Sequence, residues 1–249
     1  MLLNAVVTGP ADAERSVLLL HGMMGSSESW WRVSERLAAQ GTRVIALDLP
    51  GHGLSPRDPR GSVGSAADAV VATVAALAHR HRLIGHPRRL AGIGHSYGGT
   101  VLSAAAARLA LDTQVYVDTV CAFAGGGDVS ELTTQYEADR RARIDADRLR
   151  QSRFFYSADD AVVEARAAWR FDPATAASVS SESDVDHRPG AGAILVRAHP
   201  SRFVSDDDAN ALRLAGVDVR AIDGAAHSMW YSHFEGFVEA LPEIFRPNA

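Results

Sequence analysis

The chain has 249 residues, of which 47% are hydrophobic, so it can bury a sizeable core and is not an intrinsically disordered chain. The formal net charge of −5 at pH 7 argues against nucleic-acid binding, because nucleic-acid-binding domains are normally basic. A single cysteine, Cys121, excludes an intramolecular disulfide, and its apolar neighbours predict that it fills the core. Residues 1–4 show neither a basic region nor a long apolar run, so we expect a cytoplasmic protein without a membrane segment.

Short apolar runs alternate with helical patterns along most of the chain, which predicts a mostly parallel sheet with helices on both faces. The runs are rich in Val, Leu and Ile and hardly alternate with polar residues, as is typical of strands buried on both faces. The predicted strands are residues 17–20, 43–47, 89–93, 117–123, 193–197 and 217–222. The predicted helices between them are residues 30–39, 66–77, 100–110, 206–214 and 233–241.

Glycine-containing turns follow the first two predicted strands. The segment HGMMG (residues 21–25) comes directly after the first strand and can aim the backbone N–H of Met23 at a bound group. The segment DLPGHG (residues 48–53) follows the second strand and forms a tight turn. We expect Asp48 and His52 to hold this turn by side-chain hydrogen bonds rather than to act in catalysis.

The segment GHSYG (residues 94–98) lies between a predicted strand and a predicted helix. In this context the serine of a G-x-S-x-G motif occupies a sharp turn with its hydroxyl exposed. The two glycines leave room for the turn, and the N-terminus of the following helix favours developing negative charge. We therefore predict that Ser96 is a nucleophile, with the backbone N–H groups of Met23 and Tyr97 as an oxyanion hole.

Residues 128–189 interrupt the alternation of strands and helices. Helical patterns at 130–149 and 158–169 carry arginines among many acids, and together they predict a helical insertion over the sheet. Residues 174–192 are rich in Ser, Asp and Gly and are predicted to connect the insertion back to the sheet. The predicted domains are a core of residues 1–127 and 190–249 and a cap of residues 128–189, whose arginines are expected mostly to face water.

A histidine follows the last predicted strand. His227 lies in DGAAHS (residues 223–228), at the carboxyl edge of the sheet, where Ser96 also lies and where open parallel sheets bind ligands. Because a serine needs a base within hydrogen-bond reach, we predict that His227 is that base. The alternative is a histidine in an ordinary surface loop.

Taken together, these segments resemble the α/β-hydrolase fold family. HG (21–22), DLPGHG (48–53), GHSYGG (94–99) and GAAH (224–227) occur in the family's order and span nearly the whole chain. The resemblance implies an eight-stranded, mostly parallel sheet, a cap inserted after the sixth strand, and no metal or organic cofactor. It also implies a Ser–acid–His triad in which Ser96 is the nucleophile and His227 the base, with Met23 and Tyr97 as oxyanion donors.

The acid of this triad departs from the family pattern. The resemblance places an aspartate just after the strand at 193–197, and this chain has Ser201 there. Some family members carry the acid after the preceding strand, here predicted at 117–123. We therefore expect Asp128, which follows a flexible run of three glycines, to reach His227. Asp206 is a second candidate, but its position predicts that it lies at a helix start.

Three functions are compatible with these residues. The leading hypothesis is a serine hydrolase that cleaves a carboxylic ester, thioester or lactone of a small molecule through an acyl-enzyme on Ser96. A second is a carbon–carbon bond hydrolase or a cofactor-free lyase, because the fold alone does not fix the reaction. A third is a ligand-binding protein with this fold and little turnover, for which the serine at position 201 is the one supporting feature.

Overall fold

A seven-stranded sheet forms the centre of the computed structural model, which describes residues 1–80, 89–120, 122–183 and 185–246. In chain order the strands are β1 (Ala5–Thr8), β2 (Arg15–Leu20), β3 (Arg43–Leu47), β4 (Arg89–His95), β5 (Thr113–Val117), β6 (Ala122–Phe123), β7 (Val185–Asp186), β8 (Ile194–His199) and β9 (Asp218–Asp223). The large sheet has the order β1-β3-β2-β4-β5-β8-β9, while β6 and β7 pair only with each other. β1 is antiparallel to β3, and the other neighbours in the large sheet are parallel.

Helices lie on both faces of this sheet. In chain order they are α1 (Trp31–Ala39), α2 (Val63–Arg80), α3 (Tyr97–Leu109), α4 (Val129–Arg143), α5 (Ala146–Ser152), α6 (Ala158–Arg170), α7 (Pro173–Ser180), α8 (Asp206–Leu214), α9 (Met229–Ser232), α10 (Phe234–Glu239) and α11 (Pro242–Phe245). A 3₁₀ turn, Ser27–Trp30, precedes α1. None of the helices in the described part of the chain has both the length and the apolar character needed to cross a membrane.

The architecture confirms the predicted α/β class but differs in strand number. Seven strands rather than eight form the main sheet within the described residues, since the segment before β2 contributes only one antiparallel edge strand. The predicted strand at 117–123 is also wrong. β5 ends at Val117 because Asp118 turns the chain with a φ of 42°, and residues 122–123 pair with β7 instead. Cys121, predicted to fill the core, lies outside the described residues.

Alternate residues of β2 enter the two halves of the core. Val17 and Leu19 pack on the side of α1, whereas Leu18 and Leu20 pack on the side of α2 and α3. All four side chains are completely buried. This burial on both faces explains why the strands appear in the sequence as continuous apolar runs.

The predicted insertion, residues 128–189, contains four helices, α4 to α7. The predicted helix at 130–149 is two helices, because the Asp145 carboxylate accepts two main-chain N–H groups and starts α5. The predicted connection at 174–192 is partly helical, since Asp172 caps α7 and Pro173 takes its first position. α4 packs on α6 and α7, and α6 packs on the 3₁₀ turn beside the sheet. The division of the chain into a core and a cap stays a prediction.

Two leucine substitutions, one in the core and one on the surface, test which side chains contribute to the free energy of unfolding. Leu18→Ala removes a fully buried side chain from the centre of the sheet and should lower the free energy of unfolding by about 3 kcal/mol. Leu214→Ala is the matched control, because that side chain is 91% exposed and should change stability by about 0.5 kcal/mol or less. Urea denaturation measures both, and equal losses would contradict this assignment of the core.

Candidate active site

Ser96 occupies a sharp turn between β4 and α3. Its φ of 50° and ψ of −121° lie outside the regions that non-glycine residues normally adopt. The neighbouring glycines are needed because backbones approach closely here. A Cβ on Gly94 would lie 2.5 Å from the carbonyl oxygen of Gly98, and a Cβ on Gly98 would lie 2.4 Å from that of Leu20. The strained turn therefore presents the Ser96 side chain at the carboxyl edge of the sheet.

The main-chain N–H groups of Met23 and Tyr97 have no hydrogen-bond acceptor among the described residues. Tyr97 is the first residue of α3, where the N–H groups have no partner inside the helix. The turn at 21–25 runs against Ser96, because a Cβ on Gly22 would lie 3.3 Å from the Ser96 Cβ. Met23 and Ser96 line one cavity. Their role as oxyanion donors stays a prediction.

The carboxylate that contacts His227 belongs to Asp118. The distance from His227 Nδ1 to Asp118 Oδ2 is 2.7 Å, and the Asp118 side chain is 1% exposed. Because a carboxylate only accepts, Nδ1 carries the hydrogen, and Nε2 is left as the acceptor nitrogen. His227 and Ser96 line the same cavity.

The second oxygen of Asp118 is also occupied. Oδ1 accepts the Ser201 hydroxyl at 2.8 Å and the Ala198 N–H at 3.2 Å. Ser201 Oγ in turn accepts the N–H groups of Phe203 and Val204, at 2.9 and 3.1 Å. The serine that stands where an aspartate was expected thus binds the carboxylate instead of supplying it.

Asp128, the predicted acid, does not lie at His227. Its exposed carboxylate caps α4 by accepting the N–H groups of Ser130 and Glu131, both at 2.9 Å. The predicted strand ended at residue 123, whereas β5 ends at 117 and the next residue is Asp118. The available signal was a single charge inside the apolar run VYVDTVCAF (115–123). Asp206, the second candidate, pairs with Arg197 in the first turn of α8.

Two aromatic rings pack against His227. Phe203 stacks on it with ring centroids 3.8 Å apart, and His95 lies on it with centroids 4.3 Å apart. His95 also donates its Nε2–H to the His227 carbonyl oxygen at 3.1 Å. Burial, and secondarily the neighbouring His227, holds the pKa of His95 well below the ordinary histidine value, so that His95 stays neutral. These contacts fix the orientation of the His227 ring.

Asp48 and His52 hold the second turn, as predicted. The Asp48 carboxylate accepts the N–H of Ser27 at 2.6 Å and that of Leu54 at 2.8 Å. His52 Nδ1 donates to the Pro50 carbonyl oxygen at 2.8 Å. Both side chains are buried, and they fix the loop on which the turn at 21–25 rests.

His21 is bonded to main chain through both ring nitrogens. Nε2 accepts the N–H of Leu49 at 3.0 Å, so Nδ1 carries the hydrogen and donates to the Gly22 carbonyl oxygen at 2.8 Å. His21 also lies 4.9 Å from the buried His52, between ring centroids. Burial and the nearby His21 lower the pKa of His52 to about 3.

The cavity over Ser96 has a volume of about 340 Å³ and is partly covered by the insertion, residues 128–189. A space of this size suits a small molecule. The insertion contributes charged and aromatic side chains to its wall, namely Arg143, Arg153, Phe155, Tyr156 and Glu164. Among the described residues, no group of three or more His, Cys, Asp or Glu side chains is placed to hold a metal ion.

A family model matches most of the chain. Residues 17–240 match the sequence model of the alpha/beta hydrolase family. A 57-residue segment, 22% of this chain, is 44% identical to a putative protein-lysine deacylase of Homo sapiens, ABHD14B, of which it covers 27%. The curated relatives that match are covered over only 14% to 34% of their own length.

Solved structures resemble the whole chain at low identity. An E-2-(acetamidomethylene)succinate hydrolase superposes with a TM-score of 0.75 at 20% identity, over 98% of this chain and 95% of that one. A thermophilic esterase from Thermogutta terrifontis superposes with a TM-score of 0.69 at 20% identity, over 98% and 93% of the two chains. At such identities the likeness shows a shared fold.

The neutral, buried His52 predicts that stability falls in mild acid. Its pKa is about 3 in the folded chain and about 6.5 in the unfolded chain. Between these two pKa values the unfolded state binds more protons at position 52 than the folded state does. The stabilisation from neutral His52 is therefore complete above about pH 6.5 and is lost as the pH falls. Between pH 7.5 and 5.0, His52→Gln should lose about 2 kcal/mol less unfolding free energy than the wild type.

Urea unfolding at the two pH values measures this difference. His79→Gln, which replaces an exposed histidine of α2 in the same way, is the control for the substitution itself. A pH dependence of His52→Gln equal to that of the wild type would contradict the prediction.

Proposed function

The chain belongs to the α/β-hydrolase family, and we propose that it is a serine hydrolase that cleaves a carboxylic ester, thioester or lactone of a small molecule. The observation that carries this proposal is the meeting of three groups at one sheet edge. Ser96 stands on a strained turn, His227 lines the same cavity, and the buried Asp118 accepts the Nδ1–H of His227 at 2.7 Å.

In the first step, Ser96 Oγ attacks the substrate carbonyl carbon while its proton passes to His227 Nε2. The Asp118 carboxylate stabilises the imidazolium that forms and holds the ring in the correct tautomer. The carbonyl oxygen becomes negative and is held by the N–H groups of Met23 and Tyr97. These donors are already in place, so little reorganisation accompanies the charge.

Acylation is completed when the bond to the leaving group breaks. His227 gives its proton to the leaving alcohol or thiol, and the acyl group stays on Ser96. Water then attacks the acyl-enzyme, with His227 again as the base. The products are the free acid and the regenerated serine. Because His227 serves in both directions, any loosening of the Asp118 hydrogen bond should slow both half-reactions.

The proposed acid is Asp118 and no longer Asp128. Asp118 supports this role by its distance to His227 and by its burial, which strengthens its interaction with an imidazolium. Asp128 is exposed and engaged with the start of α4. The two residues therefore form a natural test pair.

Hydrolysis of 4-nitrophenyl acetate and butyrate by matched variants tests the proposal. Ser96→Ala should lower kcat by at least about 10³-fold, and Asp118→Asn by about 10³- to 10⁴-fold, because asparagine favours the wrong tautomer of His227. Asp128→Asn should stay within about twofold of the wild type, since asparagine caps a helix as well as aspartate does.

A fluorophosphonate probe separates a working nucleophile from an unsuitable substrate. The wild type should be labelled on Ser96, and Ser96→Ala should not. A wild type that neither cleaves the esters nor takes the label would overturn the serine-hydrolase proposal. Loss of activity in Asp128→Asn but not in Asp118→Asn would overturn the assignment of the acid.

Removing the Ser201 hydroxyl should lower kcat less than Asp118→Asn does, because Ser201 contributes one of several hydrogen bonds to the Asp118 carboxylate. Ser201→Ala should lower kcat about two- to tenfold, the range that corresponds to one hydrogen bond. Ser201→Thr keeps a hydroxyl and should recover part of the loss. Equal rates in the wild type and Ser201→Ala would show that the remaining bonds suffice to hold Asp118.

A further inference from the structure

Three ionisable side chains of the insertion line the cavity over Ser96. Arg143 is the last residue of α4, Arg153 directly follows α5, and Glu164 lies in α6. Two positive charges and one negative charge therefore face a space of about 340 Å³. What matters for ligand binding is which of these charges are already compensated within the protein.

Glu164 is compensated. Its side chain is 6% exposed, and Oε1 lies 2.8 Å from the Tyr231 hydroxyl. Oε2 lies 3.5 Å from Arg143 Nη2, so the two residues form an ion pair. The charge of Arg143 is thus balanced by Glu164, although its Nε is buried without a hydrogen-bond partner among the described residues.

Arg153 forms no ion pair within the described part of the chain. No carboxylate oxygen lies within 4 Å of its guanidinium nitrogens there, although the charge of Glu164 acts on it from a longer distance. The ring of Tyr156 lies against it, with the centroid 5.8 Å from the Arg153 Cζ. Burial, and secondarily the charge of Arg143, lowers the pKa of Arg153 from the usual arginine value, but an arginine stays protonated at neutral pH.

The other arginines of the insertion show that this is not a general feature of its surface. Arg140 and Arg141 pair with Glu137, Arg148 pairs with Asp145, and Arg166 pairs with Glu28. Arg150 has no ion pair among the described residues, but it is exposed and does not line the cavity. Arg153 is the unpaired arginine that faces the site.

We propose that the substrate carries a carboxylate, and that Arg153 binds it while the scissile carbonyl lies at Ser96. This inference rests on the proposed function and specifies its substrate class. Arginine presents several N–H donors in one plane and binds carboxylates through paired hydrogen bonds. Arg143 lines the same wall and adds positive charge there, while it keeps its ion pair with Glu164.

The charge count favours a carboxylate over a phosphate. The three insertion residues sum to one positive charge, which a carboxylate of one negative charge neutralises. A phosphate monoester carries about −1.5 to −2 at pH 7 and would leave excess negative charge beside the buried Glu164. The preferred substrate is therefore the ester or thioester of a small molecule with one further carboxylate.

Matched ester pairs test this inference on the whole protein. Monomethyl glutarate is compared with methyl valerate, and 3-acetoxypropanoate with propyl acetate, so that the carboxylate lies on the acyl or on the leaving side. The wild type should prefer the charged member of at least one pair by about tenfold or more in kcat/KM. Arg153→Gln should reduce that ratio by about tenfold, whereas Arg153→Lys should retain part of it.

Arg150→Gln is the control, because it removes an exposed arginine of α5, three residues before Arg153, and should leave the ratio unchanged. Ser96-dependent cleavage of the neutral esters without any preference for the charged ones would overturn the carboxylate inference and leave the serine hydrolase intact. Stronger competition by inorganic phosphate than by glutarate at equal concentration would also overturn it, in favour of a phosphorylated ligand.

A binding measurement keeps the inference testable even if no ester is cleaved. Calorimetry on Ser96→Ala should show binding of monomethyl glutarate or 3-acetoxypropanoate that weakens about tenfold when Arg153→Gln is added. Absence of such binding in Ser96→Ala, or equal affinity with and without Arg153, would overturn the inference. Arg153-dependent binding without cleavage would support it while the proposed hydrolysis fails.

Discussion

A buried carboxylate must be compensated by hydrogen bonds, and in this chain the requirement applies above all to Asp118. Its two oxygens accept bonds from His227, Ser201 and the Ala198 N–H. Ala198 and Ser201 lie at and just after the end of β8, His227 follows β9, and Asp118 directly follows β5. One side chain thus ties together the carboxyl ends of three neighbouring strands, and the orientation of His227 depends on it. The Phe203 ring adds to this arrangement, because Ser201 holds the loop from which Phe203 stacks on His227.

The order of strands explains why so few residues suffice for the site. β2, β4, β5, β8 and β9 are neighbours in the sheet, and all five run parallel. Their carboxyl ends therefore deliver the turn at 21–25, the Ser96 turn, Asp118, Ser201 and the loop of His227 to one edge. The insertion covers this edge from above and adds the charged wall of the cavity. The sheet positions Ser96, Asp118 and His227, while the insertion contributes charged and aromatic side chains to the cavity wall.

Much of this arrangement could be predicted from the sequence, because the decisive signals are local. The turn around Ser96 is marked by glycines that close backbone approach demands, and His227 follows an apolar strand directly. The turns at 21–25 and 48–53 are marked in the same way. The acid was different, since its position depends on the residue at which β5 ends. Apolar residues on both sides of Asp118 hide that end, because one charged residue inside such a run does not by itself mark the end of a strand.

The ion pair between Arg143 and Glu164 could not be predicted from the sequence either. Interspersed charges along a helix predict a solvated face, and most arginines of the insertion do form surface pairs. Which of them turn inward depends on how α4, α5 and α6 pack over the sheet. The break between α4 and α5 at Asp145 sets that packing, and it follows from a capping interaction that periodicity alone does not distinguish from a continuous helix.

The contact between Ser201 and Asp118 has a consequence for how such a site can change during evolution. Ser201→Asp alone would bring a second carboxylate close to the buried carboxylate of Asp118, and two like charges at such a distance repel. Asp118→Ser alone would leave His227 with no acid at all. Each single step is unfavourable although the double exchange could restore a working pair. We therefore expect the two positions to be epistatic, so that neither exchange is tolerated before the other.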